Sequence, residues 1–170
     1  MMFDYGIGLD CAGYTQQAFQ ASRGLSPAQA NMKDLVTEDL TNLRAKGFVR
    51  IAASDARSGD ILSLGPPRPG DTGHRIIVND TWIASDNELA DFRHDGIAGF
   101  EAGHVTTLQV ESSWGAGGDP ARGGVAQDVL WHDDVSGKWA RKNGGAVDVM
   151  GTPYNYPLIG IFRPAKEIKP

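Results

Sequence analysis

A chain of 170 residues, 41% hydrophobic and 22% charged, has the length and composition of one globular domain and is too short for two of ordinary size. Its formal net charge of -5, without any run of Lys or Arg, offers no basic surface to a phosphate backbone, which excludes nucleic acid as an expected partner. No stretch approaches the roughly 18 apolar residues of a membrane span, and the N-terminus has no basic segment followed by an apolar one, so we expect neither a membrane partner nor an export signal in this chain.

The chain contains one cysteine, Cys11. A single thiol excludes an internal disulfide and a thiolate-ligated metal cluster, so this thiol is inert, reactive or intermolecular. Cys11 lies so close to Met1 that we expect the single domain, residues 1–170, to have been excised from a longer chain.

Two helices are predicted at the start of the chain. Residues 11–22 contain good helix formers, with Asp10 as the natural N-cap and Gly24 as a stop. Ser26 followed by proline begins a second helix, which ends near Gly47.

Strands are predicted after Arg57, where short aliphatic or β-branched runs are bounded by Gly, Pro, Asn or Asp. The runs are residues 60–64, 74–78, 105–111 and 158–162. We also expect residues 82–84 to pair back on residues 74–78 through a turn at Asn79 and Asp80. Helices that precede strands favour an α+β domain, with the helices packed on one side of an antiparallel sheet.

Cys11 follows Asp10 directly and opens the first predicted helix, where unpaired backbone N–H groups and the helix dipole stabilise a thiolate. The alternative is a small buried hydrophobic residue, which is the usual role of a free cysteine. Position in the sequence does not separate these two interpretations.

A cysteine nucleophile needs a base within hydrogen-bond reach and a third group that orients the base. Among the four histidines, His74 and His104 each follow a glycine and begin a predicted strand. Either one is also compatible with an ordinary histidine at the exposed end of a strand.

Three motifs in order carry a resemblance to a known family. Residues 10–14, Asp-Cys-Ala-Gly-Tyr, resemble its nucleophile motif; residues 59–62, Gly-Asp-Ile-Leu, resemble a Gly-Asp-aliphatic strand; Gly73-His74 before aliphatic residues resembles its catalytic histidine strand. In this order they resemble the NlpC-type peptidoglycan peptidases, a bacterial family of papain-like cysteine peptidases. The resemblance implies an α+β papain-like fold, with N-terminal helices packed on a central antiparallel sheet.

The same resemblance implies a thiol hydrolase that cleaves an amide bond in the peptide stems of bacterial peptidoglycan through a thioester. Cys11 would be the nucleophile and His74 the base. The third catalytic residue of the family is a polar group on the strand after the histidine strand, which here indicates Glu111, with Gln109 and Asn79 as alternatives. The resemblance also implies a protein that is secreted or that acts at the cell wall or in the periplasm.

Two further residues are implied to bind substrate. Tyr5 resembles the tyrosine that precedes the family's nucleophile, and Asp10 resembles the aspartate that reads a free amine of the substrate. Helix capping is the alternative role of Asp10. The family's serine after the nucleophile is Ala12 here, which removes a hydroxyl from a position that can contact the substrate.

Other functions remain open from the sequence. A papain-like acyltransferase, a deamidase or a protein peptidase, including a toxin or effector, would use the same residues, and a catalytically silent binding module would use none of them. His94 and His132 each lie beside acids, but no His-Glu-x-x-His pattern is present. We therefore expect no metal and no cofactor.

Overall fold

The computed structural model describes residues 11–24, 47–71, 73–94, 100–101, 103–113, 125–143 and 146–167. These residues form two α-helices and eight β-strands. In chain order they are α1 (Cys11–Arg23), β1 (Phe48–Ile51), β2 (Ile61–Leu64), β3 (His74–Ile83), α2 (Asp86–His94), β4 (Val105–Ser113), β5 (Val125–Asp133), β6 (Trp139–Asn143), β7 (Ala146–Met150) and β8 (Leu158–Pro164). No helix in these ranges has the length and apolarity needed to cross a bilayer.

All eight strands belong to one antiparallel sheet, in the order β1-β8-β2-β3-β4-β5-β6-β7. The strands from β2 to β7 are neighbours in sequence order. The last strand, β8, returns to lie between β1 and β2, so the C-terminal part of the chain closes onto its beginning.

The helix α1 confirms the prediction for residues 11–22. It ends at Gly24, whose φ of +59° is a left-handed conformation that glycine adopts at little cost. Phe19 is 2% exposed and belongs to a core cluster with Ile61, Ile77 and Phe162. Through this cluster α1 packs on one face of the sheet, over β3 and β4. We call this face, which carries Ile61 and Ile77, the helix face.

The opposite face of the sheet holds a second and larger core. Because side chains alternate along a strand, Leu62, Ile76 and Val78 point away from α1, and they join one cluster with residues from β4 to β8. We call this the inner face.

The sheet is curled around its inner face. Ile161 of β8 and Trp139 of β6 line the same cavity of about 450 Å³. Five strand spacings separate β8 from β6, which would be about 24 Å in a flat sheet. One cavity of this volume reaches both strands only if the sheet bends strongly, so the inner face is concave.

A buried ion pair fastens β8 to the start of β2. The carboxylate of Asp60, which is fully buried, accepts hydrogen bonds from Nε and Nη2 of Arg163 at 2.8 and 2.6 Å, and from the backbone N–H of Arg57 at 2.8 Å. Two parallel N–H···O bonds to one carboxylate are geometrically specific. The Gly-Asp motif therefore has a structural role in this chain.

The predicted α+β papain-like class, with N-terminal helices packed on a central sheet, is wrong. The described residues are dominated by the eight-stranded antiparallel sheet, and their second α-helix, α2, lies between β3 and β4. The sequence did not predict β5, β6 and β7, in which polar residues interrupt the apolar ones and weaken the apolar signal. The helix predicted between Ser26 and Gly47 lies outside the described residues.

The predicted hairpin around Asn79 and Asp80 is also wrong. The strand β3 continues through these residues to Ile83. The sequence signal corresponds to a β-bulge, because the register against β4 shifts between Val78 and Asp80.

Candidate functional site

His74 is the first residue of β3 and pairs with Leu64, the last residue of β2. A Cβ on the preceding residue, Gly73, would collide with the carbonyl oxygen of Leu64. Glycine is therefore the residue that allows the two strands to approach at this point. This close approach of the two strands explains the glycine of the Gly-His motif.

The imidazole of His74 is buried, with 6% of the residue exposed, and its Nε2 lies 3.1 Å from Oγ of Ser112. Burial lowers its pKa from 6.5 to about 4, because the charged ring loses its hydration. His74 is consequently neutral at neutral pH. A neutral ring has one nitrogen that donates a proton and one that accepts, so its chemistry is that of a base.

Ser112 reaches His74 through the register of the sheet. Ile77 pairs with Glu111, so the next pair toward the end of β4 places Ser112 opposite Ile76. His74 lies two residues before Ile76, and the three side chains therefore share the inner face. Ser112 is 2% exposed, which keeps the hydrogen bond to His74 away from water.

Glu111 does not contact His74. It lies on the helix face, where its Oε2 accepts hydrogen bonds from Nδ2 of Asn79 at 3.1 Å and from Nε2 of Gln127 at 2.9 Å. Gln109 lies two residues before Glu111 on β4, so its side chain points to the same face of the sheet. The structure thus joins His74 to none of the three predicted third residues, and it supplies Ser112 instead.

The start of α1 lies level with His74 along the sheet but on the other side of it, because α1 packs on the helix face and the imidazole of His74 lies on the inner face. Phe19 packs with Ile77 of β3. Arg23, one turn later in α1, lies against Gly59, and the N–H of Gly59 donates to the carbonyl of Val78, one residue later in β3. The helix therefore runs in the same direction as β3. Cys11 precedes Phe19 by eight residues, about 12 Å of helix, and His74 precedes Ile77 by three residues, about 10 Å of strand.

A polar strip lies beneath the first half of α1. Thr15 is fully buried, and its hydroxyl has no hydrogen-bond partner among the described residues. Arg75 follows His74 in β3 and is 1% exposed. Its side chain lies on the helix face, as does that of Ile77 two residues later. A buried guanidinium at this place favours a negative charge nearby.

The structure separates the two candidate histidines. His104 is exposed and precedes β4, whereas Ser112 lies at the other end of that strand, about 24 Å along it from Val105. Only His74 therefore contacts the buried hydroxyl. Tyr5 and Asp10, the predicted substrate-binding residues, lie outside the described residues.

No group of three His, Cys, Asp or Glu residues in the described ranges comes together in a way that could hold a metal ion. His132, one of the two histidines beside acids, uses Nδ1 to bond Asp134 at 2.7 Å. His132 and Asp134 therefore form a hydrogen-bonded pair beside the turn that follows β5.

No protein-family model, curated protein or solved structure matches this chain. Its chemistry is therefore read from the residues themselves. The decisive properties are a neutral buried imidazole and a hydroxyl bonded to its Nε2 on the inner face, and the start of a cysteine-bearing helix at the same level on the helix face.

Proposed function

We propose that this protein is a cysteine hydrolase of amide bonds, in which Cys11 is the nucleophile, His74 the base and Ser112 the group that orients the base. Because α1 packs on the helix face and the imidazole lies on the inner face, the proposal requires thiol and imidazole to meet past the end of β3, of which His74 is the first residue. The observation that carries the proposal is the buried hydrogen bond between His74 and Ser112. A buried polar pair is retained at a cost in solvation, and a neutral imidazole with one nitrogen fixed is the form that a thiol nucleophile needs.

The proposed reaction has two stages. His74 accepts the proton of the Cys11 thiol, the sulfur attacks the amide carbonyl, and backbone N–H groups at the start of α1 stabilise the oxyanion. The C–N bond breaks as His74 returns the proton to the leaving amine, which gives a thioester. Water, deprotonated by His74, then attacks the thioester and releases the acid and the thiol.

Burial of His74 also shapes the energetics of this proton transfer. An isolated imidazolium is unfavourable at this place, as the lowered pKa shows. A thiolate beside the ring would supply the opposite charge, so the proton transfer proceeds as the formation of an ion pair. The start of α1 favours the thiolate member of that pair.

The peptide stems of peptidoglycan are the substrate class that we propose, since the motifs around Cys11, Asp60 and His74 resemble those of NlpC-type peptidases. Ala12 replaces the hydroxyl that the family carries beside its nucleophile, so we expect a different preference at the adjoining substrate position. Acyl transfer to an amine, or deamidation of a side-chain amide, would proceed through the same thioester.

The first test measures the thiol itself. The rate of alkylation by iodoacetamide is followed from pH 5 to pH 9 in the parent, in His74→Gln and in Glu111→Gln, the control at a residue that does not contact His74. We expect the parent and Glu111→Gln to react rapidly at pH 6, where an ordinary thiol with a pKa of about 8.5 reacts slowly. Slow alkylation of the parent that His74→Gln leaves unchanged would overturn the proposal and favour a binding module.

The second test identifies the bond. Purified stem peptides are incubated with the parent and with Cys11→Ala, and the products are analysed by mass spectrometry. Cleavage by the parent alone is expected. A rapidly alkylated thiol without stem-peptide cleavage would retain the cysteine enzyme and refute this substrate class.

A further inference from the structure

The cavity on the inner face is separate from the proposed catalytic residues, since neither His74 nor Ser112 lines it. Its volume of about 450 Å³ falls in the range of roughly 300–1,000 Å³ typical of small-molecule sites. Its apolar walls come from both sides of the curled sheet, namely Ile51, Leu158, Ile161 and Trp139.

The cavity receives no positive charge from Arg50, although this residue contributes to its wall. Arg50 of β1 pairs with Phe162 of β8, so its side chain points to the helix face. There it crosses Gly160, where an added Cβ would lie 2.8 Å from Nε of Arg50 and 3.0 Å from the ring of Phe162. The other described lining residues are apolar except for one histidine, so the cavity suits a neutral molecule.

That histidine, His132, has a fixed orientation. Its Nδ1 lies 2.7 Å from Oδ1 of Asp134, whose other carboxylate oxygen accepts a hydrogen bond from Thr106 at 2.9 Å. The imidazole also rests against the indole of Trp139, with ring centroids 4.6 Å apart. Because a carboxylate only accepts, Nδ1 carries the proton of the bond to Asp134, and Nε2 of the neutral ring is a hydrogen-bond acceptor. Nε2 bonds no other described residue.

We propose that this cavity binds a small neutral molecule that has an apolar body and one hydroxyl group. The hydroxyl donates to Nε2 of His132, and the apolar walls cover the body of the ligand. The hydrogen bond from His132 to Asp134 fixes the proton on Nδ1, so the site selects a donor at this position and not an acceptor.

The first comparison varies the ligand. An aromatic alcohol, 4-phenylbutan-1-ol, and an aliphatic one, hexan-1-ol, are each compared with the methyl ether, which keeps the apolar body and the oxygen but cannot donate. Titrations at pH 8, which favours the neutral imidazole, are followed by the NMR signal of the Trp139 indole N–H. We expect at least one alcohol to bind, and to bind about threefold to tenfold more tightly than its ether, the contribution of one hydrogen bond. No probe contains an amide bond, so the result is independent of the proposed hydrolase activity.

The second comparison varies the acceptor. His132→Phe removes Nε2 and should bring the alcohol and its ether to equal affinity. In Asp134→Asn the amide oxygen keeps the hydrogen bond from Thr106 and the amide N–H faces Nδ1, so the ring proton moves to Nε2 and the preference for the alcohol should also disappear. His104→Phe, at an exposed histidine outside the cavity, is the control and should keep the preference.

Three results would overturn the proposal. They are equal affinity of the parent for each alcohol and its ether, a preference for the alcohol that persists in His132→Phe, and the absence of a saturable change in the Trp139 signal with either alcohol at millimolar concentration.

Discussion

Acidification tests the burial of His74 directly. Its pKa in the folded protein is about 4, against 6.5 for an ordinary histidine, so between these values the unfolded chain binds a proton that the folded chain does not. The free energy of unfolding therefore decreases as the pH falls through this window. The full difference corresponds to about 3 kcal/mol, and about 2 kcal/mol of it is lost between pH 7 and pH 5.

Urea unfolding at pH 7, 6 and 5, followed by tryptophan fluorescence, measures this loss in the parent and in His74→Gln. Glutamine does not titrate, and its amide can still donate a hydrogen bond to Ser112. Carboxylates titrate alike in both proteins, so the difference between the two pH dependences isolates the histidine. The same pH dependence in both would refute the reasoning, because it would mean that the imidazole at position 74 is hydrated in the folded state.

Three further changes test the site and its scaffold. Ser112→Ala should slow alkylation of Cys11 at pH 6 by about tenfold, because the imidazole loses its orienting partner, whereas Glu111→Gln should have no effect. Asp60→Asn should lower the free energy of unfolding by about 3–5 kcal/mol in urea titrations, since it leaves the buried guanidinium of Arg163 without its charge partner. Gly73→Ala should cost about 1–3 kcal/mol and lower the melting temperature, because the added methyl meets the carbonyl of the paired strand.

The sequence predicted best where the signals are local. The helix over residues 11–22 has good helix formers and a glycine stop, and both its existence and its end are confirmed. Strands are present at all four predicted runs after Arg57, because each is a compact aliphatic segment that becomes buried. Such features depend on neighbours in the chain and need no knowledge of the remaining fold.

Features that depend on distant partners were missed. Strands β5 to β7 contain many exposed or half-buried residues, and polar residues such as Gln127, Asp128 and Arg141 interrupt their apolar pattern. They form because β4 offers a long edge on which β5 pairs over nine residues, after which β6 and β7 follow as antiparallel neighbours. Context of this kind dominates strand formation, which is why the fold class was predicted incorrectly.

The candidate site shows which contacts follow from the order of the strands and which require their register. Adjacent antiparallel strands bring the start of one to the end of the next, so the first residue of β3 had to meet the last residues of β4, and His104 had to lie near Ile83 instead. That rule favours His74 over His104 without any structure.

The rule does not choose between Glu111 and Ser112, which are neighbours in sequence but point to opposite faces. The choice depends on the register between β3 and β4, and the bulge at Asn79 changes that register within the same pair of strands. An error of one residue in the proposed orienting group therefore moves that group from the imidazole to the opposite face of the sheet.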